Sequence, residues 1–295
     1  MRGHAEADAG NLAAARAAYE AGRAAIGNRL GADHPELAKS ELNLALLARA
    51  LEDPKRAQQH LDAAHALLER ALGPDSPRLA PVLVAQTEIL LARNQLEEAR
   101  RVANRAYELQ QRLPQAHPDR GGALILLCEL EVLAGNDKAA ADHARTLARS
   151  WEKHPFASRR LEAMNNAAYY SLRAGDVDAG RRWARALVDS AQPGSTLHLY
   201  GLAYLGRALV DGGEPRRGLF ILEDLLDRTT EANPQTIDLF GAELRRSVAR
   251  GLIALGRTED RGRARDLLRE AAPAFSDDPS IASHVAHELH ALADE

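Results

Sequence analysis

"LGADHPELAKSELNLALLARALEDPKRAQQHLDAA" begins at Leu30, and "LGPDSPRLAPVLVAQTEILLARNQLEEARRVANRA" begins forty-two residues later at Leu72. Both run Leu-Gly, a polar loop, a proline, an apolar stretch, a polar break and a second stretch rich in alanine. A chain that states one pattern twice invites a search for further copies. Self-similarity at a period of about 20–50 residues marks a repeat architecture and decides the fold.

Anchored on the polar break, the copies fall at Gly10, Glu52, Asn94, Gly135, Gly175, Gly213 and Gly256, in steps of 42, 42, 41, 40, 38 and 43 residues. Within each copy apolar residues recur at three- and four-residue spacings, which is the helical period and not strand alternation. Gly or Asn at the break suits a left-handed cap closing a first helix. The other boundary carries a proline in most copies: His34-Pro35, Ser76-Pro77, His117-Pro118, His154-Pro155, Asn233-Pro234 and Asp278-Pro279. Proline fits the first turn of a helix, and Ser, Asn or Asp before it caps exposed amides. Histidine is a poorer cap, so capping leaves the three His-Pro boundaries less well explained.

Two further positions test the alignment. Seven residues before the anchors lie Ala45, Thr87, Cys128, Ala168, Gly206 and Ala249; five residues after them lie Ala15, Ala57, Ala99, Ala140, Gly180 and Gly218. All are small, as close packing of paired helices requires, since a larger side chain would force them apart at about 1–3 kcal/mol. The last copy breaks the rule with Arg261, and three extra residues in "LGRTEDRGRA" would restore it at Ala264.

A first helix with a small residue at its middle, a Gly-x-x-x-x-Ala turn and an alanine-rich second helix resemble the tetratricopeptide repeat. The best-preserved turns are "GNLAAA" from Gly10 and "NQLEEA" from Asn94. The long period and the "LGADHPELA" and "LGPDSPRLA" linkers are similar to the 42-residue variant of kinesin light chains, also found in C-terminal arrays of bacterial serine/threonine kinases and other signalling proteins. The resemblance spans nearly the whole chain. It is strongest through about Ala140 and weaker beyond, where linkers shorten and Trp151 and Trp183 fall at no repeated position.

The resemblance implies an all-α, right-handed superhelical solenoid of about six antiparallel helix pairs, stacked because a single pair cannot bury its own apolar face. The expected organisation is one array over 1–295: a partial repeat at 1–33, repeats at 34–75, 76–116, 117–153, 154–193, 194–232 and 233–277, and a capping helix at 278–295. Only nine residues precede Gly10. The chain is therefore expected to begin inside a repeat, as part of a longer protein or a gene with a misplaced start, and to self-associate through the exposed N-terminal face.

The 295 residues are 45% hydrophobic and 27% charged with a formal net charge of −4, which argues against a basic nucleic-acid surface. The single cysteine, Cys128, excludes an internal disulfide or cysteine cluster. "MRGHAEADAG" has no apolar core for a signal peptide, and "ALILLC" at Ala123–Cys128 is far too short to span a bilayer. A cytoplasmic protein with no membrane or nucleic-acid partner is expected. Only Lys39, Lys55, Lys138 and Lys153 among the 38 basic residues are lysine, a bias typical of high-GC bacterial genomes.

No phosphate loop, G-x-G-x-x-G, G-x-S-x-G elbow, H-R-D or D-F-G motif occurs. "HVAHELH" offers His284, His287 and His290 beside Glu288, but three histidines at successive i+3 steps fan over about 120° of helix and do not converge on one tetrahedral ion. No enzyme, cofactor or metal is expected. Cys128 reads as a buried structural residue, and runs such as Arg100-Arg101 and Arg181-Arg182 as solvated faces with i,i+4 pairs.

By analogy with the family, groove-facing residues lie thirteen, nine, six and two places before each anchor. They are Glu162, Asn166, Tyr169 and Arg173; Tyr200, Tyr204, Arg207 and Asp211; Glu243, Ser247, Arg250 and Ala254; and, earlier, the blander Lys39, Asn43, Leu46 and Ala50. Tyr and Arg often dominate interface energy, and Asn binds both edges of a peptide bond. The expected partner-binding groove is Asn43, Asn166, Tyr169, Arg173, Tyr200, Tyr204, Arg207 and Arg250. The alternative is that the aromatics simply pack between helices. The function expected is a non-enzymatic scaffold for a protein or peptide partner, as the docking part of a bacterial signalling protein. The alternative is a ligand- or peptide-sensing array of a larger kinase or transcription regulator.

Overall fold

A computed structural model describes residues 10–114, 117, 119–154, 156–232 and 239–292. Pro118, Pro155, the Asn233-Pro234 boundary, the first nine residues and the last three lie outside the described residues. The described residues form α-helices and short 3-10 turns and no strand, so the fold is all-α. The helices are α1 (Leu12–Leu30), α2 (Leu37–Ala50), α3 (Pro54–Leu72), α4 (Ala80–Ala92), α5 (Leu96–Gln111), α6 (Gly122–Leu133) and α7 (Asp137–Trp151). They continue as α8 (Ala157–Arg173), α9 (Val177–Ser190), α10 (Thr196–Asp211), α11 (Pro215–Ala232), α12 (Leu239–Leu255), α13 (Arg261–Ala271) and α14 (Pro279–Ala291).

Every anchor read from the sequence turns left-handed: φ is 78° at Gly10, 56° at Glu52 and Asn94, 75° at Gly135, 76° at Gly175, 82° at Gly213 and 68° at Gly256. Four of these turns also show the paired hydrogen bonds of a Schellman cap. Glu52 N donates to Arg49 O and Asp53 N to Ala48 O; Gly175 N donates to Leu172 O and Asp176 N to Ser171 O, with the same pairs at Asn94 and Gly213. These bonds satisfy carbonyls the helix end would otherwise leave open.

At each His-Pro boundary the imidazole accepts a backbone amide of the turn that leads into the helix, although no N-cap side chain bonds the first amides of α2, α6 or α8. The Nδ1 of His34 accepts the Glu36 amide, that of His117 the Asp119 amide and that of His154 the Phe156 amide, each at 3.2 Å. The accepting ring nitrogen thus does what a shorter Asn or Asp side chain does in an Asx turn. Asp278 caps α14 conventionally, accepting from Ile281 N at 3.1 Å.

The small positions are buried where the sequence placed them. Ala45, Thr87, Cys128, Ala168 and Ala249 are at most 2% exposed, and Ala15, Ala57, Ala99 and Ala140 are fully buried. Ala264 is buried as well, because the three extra residues form a 3-10 turn, Thr258–Asp260, before α13. Burial pushes the Cys128 thiol up to about 12, so it is an inert packing group.

The chain divides into two compact units at Ala134/Gly135. In the first, α2 packs on α3 and α4 on α5, with α2, α4 and α6 in lateral contact. In the second, α8 packs on α9, α10 on α11 and α12 on α13, while α8, α10 and α12 lie side by side. The buried faces of α10 to α14 form one apolar cluster centred on Leu222, Leu225, Leu244, Val248 and Phe275.

The arginine runs do more than decorate a solvated face. Arg101 pairs locally with Glu98, but Arg100 reaches Glu131, and in the second unit Arg145 reaches Asp176 and Arg181 reaches Glu214. Each bond joins a second helix to the following hairpin, where an i,i+4 pair on one helix was expected.

Candidate functional site

The candidate site lies in the second unit, where α8, α10 and α12 line up as successive first helices. Positions four apart share a helix face, so Tyr200 and Tyr204 of α10 stack, with ring centroids 6.2 Å apart and planes at 11°. Tyr204 meets Tyr169 of α8 at 6.2 Å, and Tyr200 meets the edge of Phe240 of α12 at 4.6 Å. The rings form one continuous wall across three helices. They pack against one another and yet stay partly exposed, so the two readings of these aromatics are compatible.

The wall bounds a cavity of about 380 Å3 that also includes Asn166, Asn165, Arg207 and Glu243. Five of the eight expected site residues therefore meet there: Asn166, Tyr169, Tyr200, Tyr204 and Arg207. Burial above all, with the Glu243 charge adding, holds the Tyr169 and Tyr204 hydroxyls above the usual phenol range. Tyrosines 169 and 204 therefore stay neutral donors at physiological pH.

Arg173 and Arg250 line a neighbouring cavity of about 400 Å3, which Arg207 shares. There the arginines are already engaged. Arg173 donates to Asp137 at 2.6 Å and to Asp278 at 2.5 Å; Arg250 meets Asp211 at 2.9 Å; Arg246 grips Glu288 through Nε at 3.1 Å and Nη2 at 3.0 Å. Glu288 is thus held by arginine, and His284 and His287 beside it are exposed. Asn43 lies in the first unit, on a separate cavity of about 630 Å3 with Lys39, Arg78 and His117.

Phe240, Asn165 and Arg246 were not singled out by the sequence reading. Phe240 stands three residues before Glu243 and so on the same helical face, a signal that a search starting thirteen residues before the anchor passes over. Arg246 falls outside the repeated positions, and its partner is 42 residues away.

Left-handed turns, small packing positions and paired helices define an all-α helical-repeat fold of the tetratricopeptide type. The tetratricopeptide repeat family matches residues 39–112, in support of the resemblance read from the sequence. Comparison with curated proteins gives no significant match. Among solved structures, the kinesin light chain TPR-like repeats of Podosopora anserina are 18% identical, with a TM-score of 0.57 over 68% of this chain and 99% of that one. A Rap protein complexed with Competence and Sporulation Factor is 16% identical, with a TM-score of 0.54 over 99% of this chain and 73% of that one. A Signal Transduction ATPase with Numerous Domains from Pyrococcus horikoshii, with a tetratricopeptide repeat sensor, is 12% identical; the TM-score is 0.58 over 87% of this chain and 38% of that one. At these identities the likeness is one of fold. Among the described residues no helix is long and apolar enough to cross a membrane.

Proposed function

We propose that the chain is a non-enzymatic interaction scaffold that takes a peptide or protein segment in the cavity of α8, α10 and α12. The observation that carries this reading is the aromatic wall of Tyr169, Tyr204, Tyr200 and Phe240, built from three helices and partly exposed. Rigid aromatic surface of this kind gives contact area at small cost in side-chain entropy. Asn166 on the same wall adds amide donors and an acceptor for an extended backbone. A bacterial, cytoplasmic signalling context is part of the proposal, on the composition and on the long period of the repeats.

Selection of random peptides displayed on phage tests it, with wild type and Tyr200→Ala as baits. Peptides retained by the wild type and lost by Tyr200→Ala, with the variant's melting unchanged, support the site. Retention by both moves binding elsewhere.

A second reading, a sensing array attached to an effector, draws on two of the structural relatives. One is complexed with a factor and the other carries its repeats as a sensor within a longer chain. An effector reading frame contiguous with this one in the genome would favour it.

A further inference from the structure

The carboxylates around the two neighbouring cavities are not paired equally closely. Four arginines, Arg173, Arg207, Arg246 and Arg250, face five carboxylates, Asp137, Asp211, Asp278, Glu288 and Glu243. The first four carboxylates each have an arginine nitrogen within 3.0 Å. Glu243 does not: its nearest cation is Arg207 Nη1 at 3.8 Å, beyond hydrogen-bond range. Arg207 is directed instead toward the Leu172 carbonyl, at 3.3 Å, and toward Asp211, at 3.6 Å. The least closely paired of these carboxylates is therefore Glu243, on the lining of the tyrosine cavity.

The rest of that lining is mixed: Arg207 also lines it, with an Nε that is buried without a hydrogen-bond partner and turned toward Asp211 at 3.6 Å. The rings of Tyr169, Tyr200, Tyr204 and Phe240 each carry an aromatic quadrupole that is negative over the face. The Oδ1 of Asn165 is buried without a hydrogen-bond partner, an acceptor waiting for an N–H. An aromatic wall, a loosely paired carboxylate and an orphaned acceptor together fit an ammonium or guanidinium group. A carboxylate seated beside Glu243 would be repelled by its charge.

Resting on the reading above, we infer that the cavity seats a lysine or arginine side chain of the partner segment, with the cation against the tyrosine faces and beside Glu243. The neighbouring arginines set the limit of the pocket. Their mutual pairing with Asp211 and Glu288 keeps that side closed to the same cation.

The test is a positional-scanning peptide library with one fixed residue among mixtures, measured on wild type, Tyr200→Ala and Glu243→Gln. The expected result is Tyr200-dependent binding enriched for Lys or Arg, weakened about tenfold by Glu243→Gln. Competition on the wild type needs no variant: tetramethylammonium chloride should displace the peptides, and neutral neopentyl alcohol of similar shape should not. Tyr200-dependent binding that favours Asp, Glu or Pro, or that ignores tetramethylammonium, overturns the cation assignment and leaves the peptide site standing. No Tyr200-dependent binding at all overturns both.

Discussion

Arg173, at the end of α8, donates through Nη1 to the carboxylate of Asp278, which caps α14 a full 105 residues further along the chain. The same guanidinium donates through Nε to Asp137, at the start of α7. Only 6% of the arginine side chain is exposed. One cation thus ties three helices of the second unit together, with its charge matched on both sides.

Removing it should be felt at a distance. Arg173→Met should cost about 2–3 kcal/mol, because two part-buried carboxylates lose their partner. Hydrogen exchange should show the amides of α14 losing protection before those of α10. Uniform loss across the unit would mean that Arg173 is not the tie.

Acid should loosen the same contact. Burial pushes the Asp278 carboxyl up, but hydrogen bonds from Arg173 and the Ile281 and Ser280 amides outweigh it and hold it below the usual carboxylate range. A carboxyl lowered in the folded state contributes stability that is complete above its unfolded value, about 3.9, and lost as pH falls through the lowered folded value. Protection of α14 should therefore decline below about pH 4, and Asp278→Asn should flatten that decline while retaining a capping oxygen.

Two glycines on different hairpins separate packing from backbone freedom. A Cβ on Gly218 of α11 would lie 2.6 Å from the Gly206 carbonyl oxygen of α10 and 2.7 Å from Val210. Gly218→Ala should destabilise by about 1–3 kcal/mol through forced separation of the helices. Gly262, inside α13, has open space where its Cβ would be. Gly262→Ala should stabilise by up to about 1 kcal/mol, and urea titration of the two variants should give shifts of opposite sign.

The imidazole hydrogen bonds can be checked one at a time. His34→Ala removes the acceptor for the Glu36 amide and should cost about 0.5–1 kcal/mol, while His34→Asn should recover most of it. Equal loss in both variants would show that the ring acts by packing.

What was legible in the sequence is what repeats. The seven anchors named from spacing alone all adopt left-handed backbone, including the non-glycines Glu52 and Asn94. The displaced small position at Ala264 was recovered because one helical position demands one side-chain size in every copy. The tyrosines were picked out by offsets that the family resemblance implies, and Tyr200 and Tyr204, four apart, share one helix face. The fate of the arginines was not. Arg173, Arg207 and Arg250 do line the cavities, but their partners come from other hairpins, and a period cannot say which carboxylate arrives opposite. The histidine bonds to the turn amides were hidden for a local reason, since propensity ranks residue types and not the reach of one ring nitrogen.

The bonds from Arg145 to Asp176 and from Arg181 to Glu214 have a mechanical side. Each bridges adjacent hairpins at the protein surface, where added salt weakens charge attraction over a screening length of about 8 Å at physiological strength. The apolar contacts between the same hairpins do not weaken in this way. Stiffness between hairpins is therefore set by two materials, one tuned by the surrounding electrolyte and one indifferent to it. The stack behaves as an elastic body that softens as ions are added.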